Sequence, residues 1–191
     1  GGTFPVIEII PGQVLTRWRT EPVSGVNGVV AADPERDLLK LVVVERHQAT
    51  GNIGKGLVKG FGLKKGALAT SFAHDSHNIV AVGVTDKDIY AAIREIETCQ
   101  GGLVVVADGQ VVASLALPVA GLLSEQSLEE VVAKLADLER ATSGLGCGTP
   151  SPFSVLSFLA LPVLPELRLT DLGLVDVRKG QLLSHLPARA G

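Results

Sequence analysis

Two short polar runs interrupt an otherwise aliphatic chain. The first is Glu45-Arg46-His47, which closes the β-branched run from Leu38 to Glu45. Residues two apart on extended backbone project to the same side, so Glu45 and His47 could serve together as acid and base. A strand-end salt bridge beside a solvated histidine uses the same residues with no chemistry at all. The second run is His74-Asp75-Ser76-His77-Asn78, between two aliphatic stretches. His74 and His77 could share a metal on a turn, with Asp75 as a further ligand or as the group that orients one. An HxxH pair without a third spaced ligand is a weak metal signature. The alternatives are a turn satisfied through its own side chains, or polar contacts beside a ligand or an interface. The candidate site residues are therefore Glu45, Arg46, His47, His74, Asp75, His77 and Asn78. His74 and His77 are the candidate metal ligands.

Other chemistries find less support. Gly51, Gly54, Gly56, Gly60, Gly62 and Gly66 fall between the two runs. Such density implies loops with positive φ or close backbone approach. Lys55 and Lys59 could hold an anion there, but no Gly-Lys is followed by Ser or Thr as a P-loop requires, and a structural loop is the plainer reading. Ser71, Ser76 and Ser124 lie in no GxSxG context. Cys99 and Cys147 belong to no CxxC, which suits core residues or bystanders in a reducing cytoplasm. Aromatics make up 4% of the chain and the formal net charge is −3, so neither a base-stacking platform nor a phosphate-binding footprint is expected. The apolar stretch from Phe153 to Leu164 is too short to span a bilayer and contains Pro162, so no membrane partner is expected. No secretory signal opens the chain. There is no methionine, and a natural reading frame starts with one, so the sequence reads as a processed, excised or incomplete chain.

The elements that must position the polar runs follow from periodicity. With 46% hydrophobic and 19% charged residues, 191 residues can build one domain around a core of Val, Leu, Ile and Ala. Residues 4–18 suggest a strand, a Pro-Gly turn and a second strand, and 22–34 reads as a loop or hairpin. Leu38 to Glu45 is predicted as a strand buried on both faces. Ala67 to Phe72 and Ile79 to Val84 are two more, on either side of the histidine run. Thr85 to Glu97 has the spacing of an amphipathic helix, with Ile89, Ala92, Ile93 and Ile96 on one face. Asp108-Gly109 between β-branched runs predicts a type I′ hairpin. Ser127 and Glu130 predict a capping box for a helix to Ala141, with Leu128, Val131, Val132, Leu135 and Leu138 as its buried stripe. Leu174 to Val177 suggests a last short strand. The sum is an α+β or α/β fold, a layered sandwich with a mixed β-sheet and packed helices. The expected divisions are a leader or junction over 1–34, the main domain over 35–178 and a polar tail over 179–191.

At longer range the motifs become specific. The run VVVERHQATGNIGKGLVKGFGLKKGALATSFAHDSHNIVAVG resembles the C-terminal domain of adenine deaminases, within the amidohydrolase superfamily. GGLVVVADGQVVASLALPVAGLLS, SFLALPVLPELRLTDLGLVDV and the upstream PGQVLT extend the likeness over roughly residues 7–177. The resemblance implies that the whole enzyme hydrolyses adenine to hypoxanthine and ammonia at a manganese or iron centre. That centre would sit in a TIM-type barrel, with ligands that include an HxH pair. The four histidines of this chain, His47, His74, His77 and His185, contain no HxH. The family's metal site therefore maps onto none of these residues, and no cofactor is expected in this chain. Resemblance thus implies an accessory domain, inactive alone, cytoplasmic, partnered by the N-terminal barrel of the same enzyme and by further copies in a homo-oligomer. Two competing readings remain open: a free-standing small-molecule-binding or oligomerisation module on the same fold, and an independent hydrolase with its own metal on His74, His77 and Asp75.

Overall fold

Alternation along the strands sorts the aliphatic residues of this chain onto two faces of one large sheet. The computed structural model describes residues 2–26 and 28–183. In chain order the elements are β1 (Gly2–Ile9), β2 (Thr16–Val23), the short pair β3 (Gly25–Val26) and β4 (Val29–Val30), β5 (Leu39–Val44), β6 (Ile53–Lys59), β7 (Ala67–Thr70), β8 (Ile79–Gly83) and α1 (Asp86–Thr98). The β9 (Gly102–Ala107) and β10 (Gln110–Ala116) hairpin follows, then α2 (Leu128–Gly144), α3 (Pro152–Phe158), β11 (Leu167–Thr170), β12 (Gly173–Asp176) and β13 (Gln181–Leu182). Eight strands form one sheet in the order β10-β9-β7-β8-β5-β6-β1-β2, with β11, β12 and β13 in a second sheet of three. The large sheet is mixed: β1 runs parallel to β6 and the other pairs are antiparallel. Its edges stay open, so the fold is a layered α+β sandwich and not a closed barrel.

One face carries small residues. Ala67, Ala69, Ala81 and Val104 pack against Ile89, Ala92 and Ile96 of α1. A Cβ on Gly83 would stand 2.8 Å from Ile89 Cγ1, so the missing side chain lets the helix settle on β8. The sequence offers Thr85 or Asp86 as the cap of α1, and it is the Thr85 hydroxyl that caps it, accepting from the Asp88 amide at 3.1 Å. Asp88 in turn accepts from the Gly109 amide at 2.7 Å, tying the helix start to the β9–β10 turn. Asp108 and Gly109 both have positive φ, as a type I′ turn demands.

The opposite face is larger and leucine-rich. Leu39, Leu41, Val43, Leu68, Val82 and Val105 pack beneath α2, α3 and the small sheet, which supply Leu138, Leu145, Leu156, Leu159, Leu169 and Leu174. Each fully buried leucine contributes about 2 kcal/mol of transfer free energy. Among the described residues no helix is long and apolar enough to cross a membrane.

Two expectations need correction. The glycine-dense stretch is only partly loop: residues 53–59 form β6. Gly54 and Gly56 lie in that strand, where the Thr170 backbone leaves no room for a side chain on Gly54 and the Leu169 and Leu174 side chains pack against Gly56; positive φ among these glycines is confined to Gly51, Gly60, Gly62 and Gly66. The predicted stripe of α2 is mostly uncovered. Leu138 is buried, but Leu128 is 74% exposed, Val132 56% and Leu135 40%. The helix lies over β9 and β10 near the sheet's edge and presents only a narrow line of contact, Val131 and Leu138 with Leu145 beyond its end. Residues 152–158, for which periodicity predicts no element, form α3 with Pro152 in its first turn, where a missing N–H is harmless. Residues 1–34 supply β1 and β2 to the large sheet. In the tail, 181–182 forms β13, while 184–191, including His185, lies outside the described residues.

Candidate functional site

Antiparallel pairing brings the two polar runs together. Val44, the last residue of β5, stands opposite both Ile53 at the start of β6 and Ile79 at the start of β8. The β5–β6 loop and the β7–β8 loop therefore open at the same end of the sheet. Runs separated by some thirty residues in sequence meet there, together with the β11–β12 turn and the segment around Ala120.

Each residue of the first run is engaged. The Glu45 carboxylate turns back into its own loop. It accepts from the amides of His47, Gln48 (2.8 Å) and Thr50 (3.0 Å) and from the Thr50 hydroxyl (3.1 Å). The amide of Thr50 leads these donors in holding the Glu45 carboxyl down to about 2. Arg46 donates from Nε to His77 O (2.5 Å) and from Nη2 to Ala120 O (2.7 Å). Its guanidinium lies where a Cβ on Gly121 would be, 2.5 Å from the nearest nitrogen. The His47 ring pairs through Nε2 with Ser76 O at 2.7 Å. Arg46 and His47 thus clamp the backbone of the second run, while Glu45 organises the loop between them and β6.

The second run forms a tight turn whose His74–Asp75 peptide is cis. The His74 ring lies 4.6 Å from Phe158, 5.1 Å from Phe72 and 6.2 Å from His77, centroid to centroid. His77 has a φ of 50°, and its Nδ1 faces the Ala73 amide at 3.3 Å. Burial, then the neighbouring His74 and Arg46 charges, push the His77 imidazole below its ordinary range. That favours the neutral ring, which alone can accept at Nδ1. Asp75 is exposed. Among the described residues no group of three His, Cys, Asp or Glu side chains could hold a metal ion. The donor set at this end therefore does not fit one.

Two further residues belong to the cluster. Asp171, in the β11–β12 turn, accepts from Asn78 Nδ2 at 3.3 Å and from Asn52 Nδ2 at 3.2 Å. Neither Asn52 nor Asp171 stands out in the sequence; an Asp between two short strands reads as an ordinary turn residue. Because Asp171 can only accept, it fixes the Asn78 amide, whose Oδ1 is buried with no donor among the described residues. Around this polar centre stand exposed apolar side chains: Phe72, Ile53, Leu123 and Leu172, between 39% and 64% exposed. Uncovered apolar side chains gathered at one place on a surface mark a site where protein can dock, and here they stand beside polar groups able to hydrogen-bond across such a contact.

The Glu45 loop carries a pH signature. Its folded carboxyl lies below the ordinary value of 4.5, so its contribution to stability is full above that value and disappears as pH falls from 4.5 toward 2. Protection of the His47, Gln48 and Thr50 amides, measured against their intrinsic exchange rate at each pH, should fall across that window in the native chain. In Glu45→Gln the same amides should exchange faster at neutral pH and show no such transition. Equal protection in both proteins would break the assignment.

Comparison with known sequences matches residues 13–181 to the family described as adenine deaminase C-terminal domain. An adenine deaminase of Dehalococcoides mccartyi is 59% identical over 180 residues, covering 94% of this chain and 32% of the relative. An adenine deaminase of Desulfatibacillum aliphaticivorans is 51% identical over 176 residues, covering 92% and 31%. One from Archaeoglobus fulgidus is 52% identical over 176 residues, covering 92% and 30%. The chain spans about a third of the length of these relatives. With the profile covering most of its length and its characteristic runs gathered at one end of the sheet, the chain belongs to the adenine deaminase C-terminal domain family.

Proposed function

We propose that this chain serves as the C-terminal accessory domain of an adenine deaminase, a cytoplasmic enzyme of purine salvage. The whole enzyme would convert adenine and water to hypoxanthine and ammonia. A metal, manganese or iron, would supply the activated water that adds at the purine C6, held by residues upstream of this chain. The carrying observation is one of proportion: identity of 59% over 94% of the chain, set against 32% of the relative's length. On this reading the chain alone is inactive and its partner is the upstream catalytic domain.

The polar end of the sheet is the face that meets that domain or a neighbouring subunit. Two observations support this. Its apolar rim is uncovered, and the chain enters there. β1 runs parallel to β6 with Ile7 opposite Val58, which directs Gly2 toward the Ile53 end, where Glu45 to His47 and His74 to Asn78 lie. A preceding domain would emerge beside them. The purified chain, with or without manganese or iron, should release no ammonia from adenine. Adding the upstream domain of a relative in trans should give metal-dependent release. Release by the chain alone would overturn the reading. In the longer protein, His74→Ala or His77→Ala should alter adenine turnover or assembly, and unchanged kinetics with unchanged oligomeric state would remove the docking role of this face.

A further inference from the structure

The two edges of the large sheet are built differently. β2, at one edge, reads TRWRTEPV, with Arg17, Arg19, Glu21 and Pro22 along its length. Charges and proline are the usual means of keeping a free edge from pairing. β10, at the other edge, reads QVVASLA and has no charged residue and no proline. Among the described residues it pairs with β9 alone. Its bulge lies between Val111 and Ala113, close to the hairpin turn, so Ala113 to Ala116 continue in regular register. Val111 and Val112 are 44% and 53% exposed. Between this edge and α2 runs a groove lined by Val111, Val112, Lys134, Asp137, Arg140 and Ala141.

We infer that β10 is the seam of a two-fold dimer, in which it pairs antiparallel with β10 of a second copy and joins the two eight-stranded sheets into one. This deepens the reading that the family member works as a homo-oligomer, and rests on it. A second copy is favoured over the upstream domain for three reasons. An antiparallel ladder has two-fold symmetry, so a strand with a regular, unblocked edge is complementary to itself. The groove beside it bears both signs of charge, Lys134 next to the Asp137–Arg140 ion pair, so a symmetry-related groove meets no field of a single sign and needs no partner of different composition. Finally, a preceding domain joins at β1, six strand spacings across the sheet, or about 29 Å from β10.

Light scattering after size exclusion tests this on the 191-residue chain. The native chain should elute as a dimer with a Tm that rises with protein concentration, and Val112→Lys, a change at an exposed position, should elute as a folded monomer whose Tm does not depend on concentration. Amides of Ala113 to Ala116 that are protected in the dimer should exchange at least tenfold faster in Val112→Lys. Trp18→Lys, at the β2 edge, should stay dimeric. A native dimer that survives Val112→Lys, or that Trp18→Lys disperses, overturns the β10 seam while leaving self-association intact. A monomeric native chain removes both.

Discussion

Replacing Arg168 by Met should destabilise the chain by about 3–5 kcal/mol, comparable to breaking a buried charged network. Arg168 is fully buried on β11, and its recorded partners are all backbone carbonyls. Nε donates to Leu164 O at 2.7 Å, Nη1 to Phe158 O at 3.1 Å, and Nη2 to Val14 O at 2.5 Å and Pro165 O at 3.5 Å. One planar fork thus satisfies the end of α3, the loop that follows it and the β1–β2 turn. Burial lowers the guanidinium to about 10, so it stays charged at neutral pH, held by carbonyl dipoles. Met fills much of the volume but leaves the carbonyls without donors. Lys keeps the charge but gathers its donors at one point and cannot reach three segments, so Arg168→Lys should recover little. Urea unfolding of the three proteins decides the matter, and a Lys variant as stable as the native chain would refute the fork argument. The consequence reaches the candidate site, because the Phe158 ring lies against His74.

How much of this was legible in the sequence depended on whether the signal was local. The Thr85 cap, the Ser127–Glu130 capping box and the Asp108-Gly109 turn are satisfied by residues within a few positions of one another, and all three form where spacing predicts. The leucine stripe of α2 misled because periodicity reports an amphipathic face without reporting what covers it, and Leu128, Val132 and Leu135 are left 40% or more exposed. Gly54 misled in the opposite sense: glycine in a strand signals close approach, but the approaching backbone lies more than a hundred positions later. The candidate site divides the same way. Its two polar runs are conspicuous because five or three functional side chains in a row are rare in an aliphatic chain. Their meeting depends on β5 pairing with both β6 and β8, which no local pattern encodes. Asn52 and Asp171 join only through that pairing and the docking of the small sheet. Arg168 is invisible for a related reason. An arginine in a four-residue strand reads as a surface residue until the carbonyls of three separate segments converge on it.

Gly54→Ala should destabilise the chain by about 3 kcal/mol, far more than one methyl ordinarily does. A Cβ at this position would fall 1.8 Å from Thr170 O and 2.9 Å from the Thr170 carbonyl carbon. Those are backbone atoms at the end of β11, so no rotamer change relieves the overlap. Either β6 or the β11–β12 turn must shift. The turn is the weaker of the two, because β6 is held between β5 and β1 while β11, among the described residues, has β12 as its one strand partner. Displacing it carries Asp171 away from Asn52 and Asn78, so the buried Asn78 amide loses the acceptor that fixes it. Gly144→Ala is the contrasting change. Gly144 ends α2 with helical φ and nothing within 4 Å of its added Cβ, so helix propensity should dominate and stability should rise by up to about 1 kcal/mol. Thermal melts of both variants, with amide exchange at Asn52 and Asn78, separate the effects. Gly54→Ala should lose stability and also protection at these two residues, whereas Gly144→Ala should leave the protection unchanged. If Gly54→Ala melts like the native chain, the small sheet does not press on β6. Asp171 would then have to be held at the polar end by something other than that contact.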